Sequence, residues 1–223
     1  MSIDRQLAQV RATLPAGVEL VAVSKTHPAE AIREAYEAGQ RLFGESRPQE
    51  LCAKYEALPR DIAWHMIGHL QTNKVRMIAP FVALIHSVDS ARLAETIERE
   101  AARCGRVIDI LLELHVADEA SKTGWAWDEL AAWLAADPFA AMLHVRVRGL
   151  MGIATHTDDE RIVRRDFETL RCRFGELRPR FGEAFDTLSM GMSDDYPVAV
   201  ACGATMVRVG SLLFGARDYG TEK

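Results

Sequence analysis

Lys25 is the residue of this chain that is best placed to do covalent chemistry. It closes a short apolar run, LVAVSKT (residues 20–26), which precedes a proline and a stretch of helical spacing. Apolar surroundings disfavour the ammonium form of lysine, so an amine at the end of a buried strand can lose its proton near neutral pH and attack a carbonyl, forming a Schiff base. A lysine at a strand end can also extend its charged head into solvent. Position alone leaves both interpretations open.

Small and polar residues near the end of the chain predict a second part of the same site. In the string VRVGSLLFG (residues 207–215), Gly210 and Ser211 begin a turn into a possible helix, and backbone N–H groups at such a turn suit a phosphate group. Ser193, after the preceding apolar run, adds a hydroxyl donor. Glycine and serine at strand ends also serve merely to allow tight turns, which is the alternative interpretation.

Arg208 interrupts the last apolar run of the chain. A guanidinium buried in a strand needs acceptors for its hydrogen bonds, because an unpaired buried charge is costly. A pyridine ring nitrogen, a substrate carboxylate or a neighbouring acidic side chain would each serve. We therefore expect Arg208 to face either a ligand or an internal partner.

Alternating runs predict the elements that position these residues. Stretches of helical spacing over residues 28–38, 91–104, 127–135 and 158–175 separate short runs rich in Val, Ile and Leu. Those runs are eight predicted strands: 20–24, 41–43, 63–67, 83–87, 107–115, 145–153, 187–189 and 206–209. The alternation favours a parallel sheet closed into a single (β/α)₈ TIM barrel, in which the carboxyl ends of all strands face one mouth. A doubly wound open sheet is the alternative, but the chain has no GxGxxG string.

Composition limits the classes of partner. The chain has 223 residues, of which 48% are hydrophobic and 26% charged, and we expect one domain over residues 1–223 with a helix within residues 1–17. A net charge of -5 provides no basic surface for nucleic acid or an anionic membrane. The four cysteines form no CxxC pair, and the amino terminus has no apolar run of signal-peptide length. We expect reduced thiols and a cytoplasmic protein.

Eight strings in order give a more specific indication than any of these features alone. The chain resembles the pyridoxal phosphate homeostasis protein family over almost its whole length, and the resemblance rests on AVSKT, FGESRPQE, WHMIGHLQTNK, HSVDS, DEASKTG, RGLMGIA, LSMGMSDD and GATMVRVGSLLFGARDY. It implies a barrel similar to the amino-terminal domain of alanine racemase and a bound pyridoxal 5′-phosphate (PLP).

The resemblance also implies roles for particular residues. Lys25 would hold PLP as a Schiff base and Arg208 would lie near the pyridine nitrogen. The residues expected to hold the phosphate are Ser193, Gly210 and Ser211. Weaker expectations of cofactor contact fall on Ser46, His65 and Met151. Because a guanidinium keeps its protons, Arg208 would leave the ring a weak electron sink, favouring retention of the cofactor over carbanion chemistry.

Several residues depart from the family pattern or invite other interpretations. The family string usually reads FGENYVQE, whereas this chain has FGESRPQE, so Ser46 stands where relatives have an asparagine. Because serine is shorter, we expect a weaker contact between this residue and the cofactor. His65 and His69 have the spacing of a metal pair, but Gly68 makes a helix doubtful there, and we predict no metal. We predict that His156 faces solvent.

The remaining internal lysines are predicted to be solvated. They are Lys54, Lys74 and Lys122, in polar or helical settings. Lys74 and Lys122 lie in family strings and are candidates for transient attachment of cofactor.

Three functions fit these patterns. The first is a monomeric PLP carrier for homeostasis, which buffers the aldehyde and delivers it to apoenzymes without catalysis of its own. The chain ends soon after the last predicted strand, with no residues for the second domain of alanine racemase, which motivates this choice. The second is a racemase-like enzyme that uses PLP, with His65 or His156 as base. The third is a Schiff-base barrel enzyme without a cofactor.

Overall fold

The computed structural model describes residues 2–119 and 123–215, in which eight parallel strands close into one barrel surrounded by helices. The strands are β1 (Glu19–Val23), β2 (Leu42–Glu45), β3 (Ala63–Met66), β4 (Leu84–Val88), β5 (Ile108–Glu113), β6 (Val145–Met151), β7 (Thr187–Ser189) and β8 (Met206–Val209). The helices are α1 (Ile3–Thr13), α2 (Ala29–Glu37), α3 (Pro48–Ala57), α4 (Val75–Ile78), α5 (Ala91–Arg103), α6 (Trp127–Ala135), α7 (Glu160–Phe181), α8 (Tyr196–Ala201) and α9 (Ser211–Phe214), with short 3₁₀ turns at Thr72–Lys74 and Pro138–Ala141.

Each strand pairs with its neighbours in sequence, and β8 pairs with β1 to close the barrel, with Val21 opposite Arg208. The predicted (β/α)₈ fold is therefore confirmed. Because the strands follow one another around the ring, β1 and β8 are neighbours, whereas β5 lies across the barrel from β1.

The strands alternate between an inner and an outer face. One layer of the interior is filled by an apolar cluster of Val21, Leu84, Leu111, Met151 and Met206. A larger cluster packs the outer face of the strands against the helices, and its fully buried side chains include Phe43, Trp64 and Phe167. Residues two positions beyond the inner cluster point the same way, so several of them reach the mouth of the barrel.

The elements differ from their predicted bounds in two informative places. Helix α7 extends to Phe181, beyond the predicted end at residue 175, because Leu177 continues its buried face, and Pro179 lies in its last turn. Strand β5 ends at Glu113, before the predicted end at residue 115. The extent of the domain to residue 223 stays a prediction, since residues 216–223 lie outside the described part. No helix within the described residues is long and apolar enough to cross a membrane.

Candidate functional site

A cavity of about 260 Å³ lies at the mouth of the barrel and brings together residues that are distant in sequence. Six residues that the sequence singles out line it, namely Lys25, Ser46, Ser193, Arg208, Gly210 and Ser211. Its wall also includes four polar residues that the sequence analysis did not assign to the mouth: Glu113, Thr123, His69 and Asp194. An amine, a guanidinium, hydroxyl donors and two carboxyl groups therefore share one small space.

Lys25 lies in a tight turn directly after β1 and is half-buried. The turn is held at both ends: the Ser24 backbone N–H donates to the Gly44 carbonyl at 3.0 Å, and the Thr26 N–H donates to Glu50 Oε1 at 2.6 Å. Thr26 has a φ of 68°, in the left-handed region that threonine rarely adopts. The contact with Glu50 stabilises this conformation, which sets the direction in which Lys25 leaves the strand.

Lys54 supports the same turn from α3, and the prediction that it is solvated is wrong. Only 7% of Lys54 is exposed. Its Nζ donates to the Ser24 carbonyl at 2.8 Å, to Glu45 Oε1 at 2.7 Å and to Glu50 Oε1 at 2.7 Å. Since each of the three ammonium protons has an acceptor, burial of the charge is compensated.

Glu45, the last residue of β2, is the buried partner of Lys54 on α3. Its Oε1 also accepts the Ser24 hydroxyl at 2.6 Å, and none of its surface is exposed. Burial raises the pKa of Glu45 to about 7, against the opposing effects of Lys54 and Ser24. Glu45 does not line the cavity. It acts on the mouth by supporting the turn that carries Lys25.

Arg208 points into the barrel, two positions beyond Met206 of the inner cluster, and is 3% exposed. Its Nη1 donates to the Ser189 carbonyl at 2.9 Å and to Ser189 Oγ at 2.7 Å, while Nη2 donates to the Gly152 carbonyl at 3.0 Å. Burial lowers the pKa of Arg208 to about 10, which still leaves it charged at neutral pH. These contacts fix the guanidinium against the wall of the cavity.

A buried chain of hydrogen bonds continues from Arg208 into the barrel. Ser189 Oγ lies 3.0 Å from His86 Nδ1, and His86 Nε2 lies 3.0 Å from His65 Nδ1. A guanidinium only donates, so we assign the Ser189 hydroxyl as donor to His86 and His86 Nε2–H as donor to His65. Burial lowers the pKa of His65 to about 4 and that of His86 well below its usual value, so both rings are neutral.

The part of the cavity wall formed by the loops after β7 and β8 suits an anion. The Gly210 backbone N–H donates to Ser193 Oγ at 3.2 Å, and Ser211 begins α9. A Cβ at Gly210 would lie 3.1 Å from the Val23 carbonyl oxygen, tighter than ordinary contact. Glycine at this position therefore permits the close approach of two strand ends, with hydroxyl and amide groups facing the space between them.

Other predicted site residues lie elsewhere. His65 and Met151 are buried below the mouth and do not line the cavity, so their predicted contact with a cofactor gains no support. His69 Nδ1 pairs with Asp89 Oδ2 at 2.9 Å, and the two histidines of WHMIGH thus have different partners. His156 is exposed, as predicted.

Of the two lysines that are candidates for transient attachment of cofactor, only Lys74 falls within the described residues, and it does not line the cavity. Lys74 lies in a groove between the Thr72–Lys74 turn and α5. Lys122 lies outside the described residues.

Sequence reasoning missed Glu113 as a site residue. It ends the strand IDILLE, two positions beyond Leu111 of the inner cluster, and is 3% exposed. The argument used for Arg208, a charged residue at an inward position of an apolar strand, applies equally here. The predicted strand ran on to residue 115 and so hid the fact that Glu113 stands at the mouth.

Comparisons with known proteins agree with this geometry. The sequence profile of the family described as "Alanine racemase, N-terminal domain" matches residues 1–218. A "Pyridoxal phosphate homeostasis protein" from Aquifex aeolicus is 43% identical over 202 residues, which cover 90% of this chain and 88% of that protein.

Solved structures give the same result. PipY of Synechococcus elongatus, in a structure with PLP bound, is 43% identical, with a TM-score of 0.87, and the match covers 96% of this chain and 100% of that one. Alanine racemase from Bartonella henselae, at 14% identity and a TM-score of 0.73, shares the fold over 99% of this chain and 60% of its own. The chain belongs to the pyridoxal phosphate homeostasis protein family, on the barrel fold of the alanine racemase amino-terminal domain.

Proposed function

We propose that this protein binds pyridoxal 5′-phosphate through Lys25 and takes part in PLP homeostasis, holding the aldehyde and delivering it to apoenzymes rather than transforming amino acids. One observation carries the proposal. The amine, the guanidinium and the phosphate-type donors that the family resemblance implies converge on a single cavity, and a relative that aligns over nearly the whole chain has been solved with PLP bound.

The residues present fit the cofactor. When bound, PLP supplies an aldehyde that an amine can capture and a pyridine ring that withdraws electrons. Lys25 offers the amine, and the Ser193 and Ser211 hydroxyls with the neighbouring backbone amides suit the phosphate. Gly210 allows the end of β8 to approach the end of β1 closely, which brings Ser211 and Lys25 to the same cavity. Arg208 is a donor with no acidic partner among the described residues' hydrogen bonds, so it can face a ring nitrogen.

Arg208 determines what chemistry the site favours. It keeps its protons, and Ser189 and Gly152 hold it in place. A ring nitrogen beside it would accept a hydrogen bond and stay unprotonated, which would make the ring a weaker electron sink than one paired with a carboxylate. Retention and release of the cofactor suit such a site better than carbanion chemistry.

The proposal extends to the cell location and the oligomeric state of the protein. We propose a monomeric cytoplasmic carrier whose partners are PLP and enzymes that require it.

The test is the visible absorption spectrum of the protein after it has been mixed with PLP and the unbound PLP has been removed. The wild type should gain a yellow band that borohydride abolishes, and peptide mass mapping after reduction should find the label on Lys25. Lys25→Ala should lose both band and label, whereas Lys74→Ala, the matched control, should keep them. A band of full strength in Lys25→Ala, or label mainly on Lys74 or Lys122, would overturn the assignment.

The carrier role needs its own measurement. Activation of a PLP-dependent apoenzyme by the loaded protein should persist in the presence of an agent that traps free PLP. Complete loss of activation with the trap would show release into solution instead of delivery.

A further inference from the structure

Glu113 is a buried carboxyl group at the mouth that the proposed function leaves without a role. Thr123 Oγ1 donates to its Oε1 at 2.8 Å. Among the described residues, no group forms a hydrogen bond with Oε2, although that atom is buried. Buried polar atoms are nearly always paired, so an unpaired one that belongs to a cavity wall points to a ligand.

The carboxyl group is held firmly in place. The Trp125 backbone N–H donates to the Glu113 carbonyl at 2.8 Å, and the Trp125 indole N–H donates to the Val88 carbonyl at 3.0 Å. Gly124, with a φ of 124°, lies so close to the strand end that a Cβ there would be 2.7 Å from the His115 nitrogen. The segment that carries Thr123 is thereby pressed against β5, which fixes Oε1 as the acceptor.

The surroundings favour the neutral form of this carboxyl group. Burial, followed by the repulsion from Asp89, raises the pKa of Glu113, while Thr123, Arg208 and His69 act in the opposite direction. Lys25 and Asp194 line the same cavity. Since Oε1 accepts from Thr123, an acid proton on this group would reside on Oε2, where it would be a donor that needs an acceptor.

The barrel places Glu113 where one acceptor of the cofactor can reach it. Its strand lies across the mouth from Lys25, while the residues that suit the phosphate follow β7 and β8. In PLP the aldehyde carbon is flanked by the phosphate arm on one side and the phenolic oxygen on the other. With the arm directed to the loops after β7 and β8, the phenolic oxygen faces away from them, toward the remaining wall.

We propose that Glu113 is a further cofactor-binding residue, whose protonated carboxyl group donates a hydrogen bond from Oε2 to the phenolic oxygen of PLP. This rests on the proposed function, because it requires PLP at Lys25. Thr123 acts through Glu113 as a positioning residue.

The experiment compares PLP with its 3-deoxy analogue, which lacks the phenolic oxygen, by absorption titration of the wild type, Glu113→Gln and Glu113→Leu. The wild type should bind PLP more tightly than the analogue. Glu113→Leu should lose about tenfold or more in affinity for PLP, the range of a hydrogen bond to a charged group, and its preference for PLP over the analogue should shrink by about the same factor. Comparing this preference between the wild type and the variant cancels the intrinsic difference in aldehyde reactivity between the two compounds.

Glu113→Gln separates a donor from a charge, because its amide keeps a donor and has no acid proton. It should retain affinity for PLP within a few-fold, and the infrared difference spectrum on adding PLP should lose the band of a protonated carboxyl group. Circular dichroism of each variant without PLP checks that it is folded.

Three outcomes would decide against the proposal. They are a Glu113→Leu variant that keeps the wild-type preference for PLP over the analogue, a Glu113→Gln variant that binds as poorly as Glu113→Leu, and a wild type that lacks the infrared band. The second result would indicate an ionised carboxylate that holds a cation. A wild type that binds neither compound would overturn the proposed function itself.

Discussion

A network of charged side chains around Lys54 supports the turn that carries Lys25. The ion pairs of Lys54 with Glu45 and Glu50 lie behind the turn, and the same lysine holds the Ser24 carbonyl. A lysine that donates three hydrogen bonds is fixed in position, in contrast to one whose head is solvated. The orientation of Lys25, the amine that we propose to react, therefore depends on residues that do not line the cavity.

Glu45 gives this network a measurable pH dependence. Its pKa is raised to about 7 in the folded protein, from 4.5 for an unperturbed glutamate, so folding takes up a proton between those values. The free energy of unfolding should therefore fall as pH rises from 4.5 to 7, by about 3 kcal/mol at most. Glu45→Gln should flatten that part of the profile, as measured by urea unfolding at constant ionic strength.

Glu50→Gln is the matched control, because Glu50 also pairs with Lys54 but is partly exposed. It should keep the wild-type dependence on pH. Parallel profiles for the wild type and Glu45→Gln would contradict the assignment of the slope to Glu45.

Single residues show what the sequence could and could not predict. Lys25, Arg208 and the glycine and serine residues of the last loops stand out because their types are unusual at strand ends. Lys54 could not be predicted, since its burial depends on two glutamates from other elements that surround it in the fold. Glu113 could have been found by its inward parity with Leu111, once the end of the strand was known.

Among the elements, the turn between β7 and α8 leaves no space for a side chain at Gly191. Gly191 has a φ of 89°, and a Cβ there would lie 2.5 Å from Ala199 Cβ. Its carbonyl accepts the Arg208 backbone N–H at 2.9 Å. The turn therefore links the loop that carries Ser193 to the strand that carries Arg208.

Gly191→Ala should destabilise the protein and weaken PLP binding. The left-handed conformation and the overlap together should lower the free energy of unfolding by about 2–4 kcal/mol. Urea unfolding measures the first effect and absorption titration the second.

Gly175→Ala provides the control, because Gly175 lies in α7 and a Cβ at this position would have nothing within 4 Å. It should leave binding unchanged and raise the free energy of unfolding by up to about 1 kcal/mol. Equal stability and affinity for Gly191→Ala and the wild type would refute the account of this turn.

The elements themselves were largely predictable from periodicity. Apolar runs with helical spacing between them fix the order of strands, and the absence of a Gly-rich first turn favoured the closed barrel over an open sheet. Element ends were harder, because burial of Leu177 prolongs α7 and pairing of Trp125 with the residues after β5 ends that strand. Such contacts are made by residues that are distant from the strand or helix end in question.

At the scale of the whole molecule, the guanidinium at the mouth of the barrel supports the proposal of a carrier over that of an amino acid racemase. Hydrogen exchange at the α-carbon of alanine in deuterated water, followed by NMR, should be no faster with the PLP-loaded protein than with the same concentration of free PLP. We expect no acceleration because Arg208 would leave the ring a weak electron sink. In addition, Lys25 is only half-buried, so water would not be excluded from the proposed point of attachment.

Lys25→Ala serves as the control for that measurement, since it removes the attachment without emptying the barrel of its other groups. Exchange that exceeds free PLP in the wild type and disappears in Lys25→Ala would establish the racemase-like alternative.

The pairing of β1 with β8 has a consequence for biogenesis. Lys25 is translated well before Arg208, Gly210 and Ser211, and the seam between β1 and β8 brings them together. A nascent chain on the ribosome cannot form the proposed vitamin site until β8 has been made and has closed the ring against β1. A product truncated before β8 keeps Lys25 but lacks the guanidinium and the last loop, so we expect it to hold the vitamin only weakly.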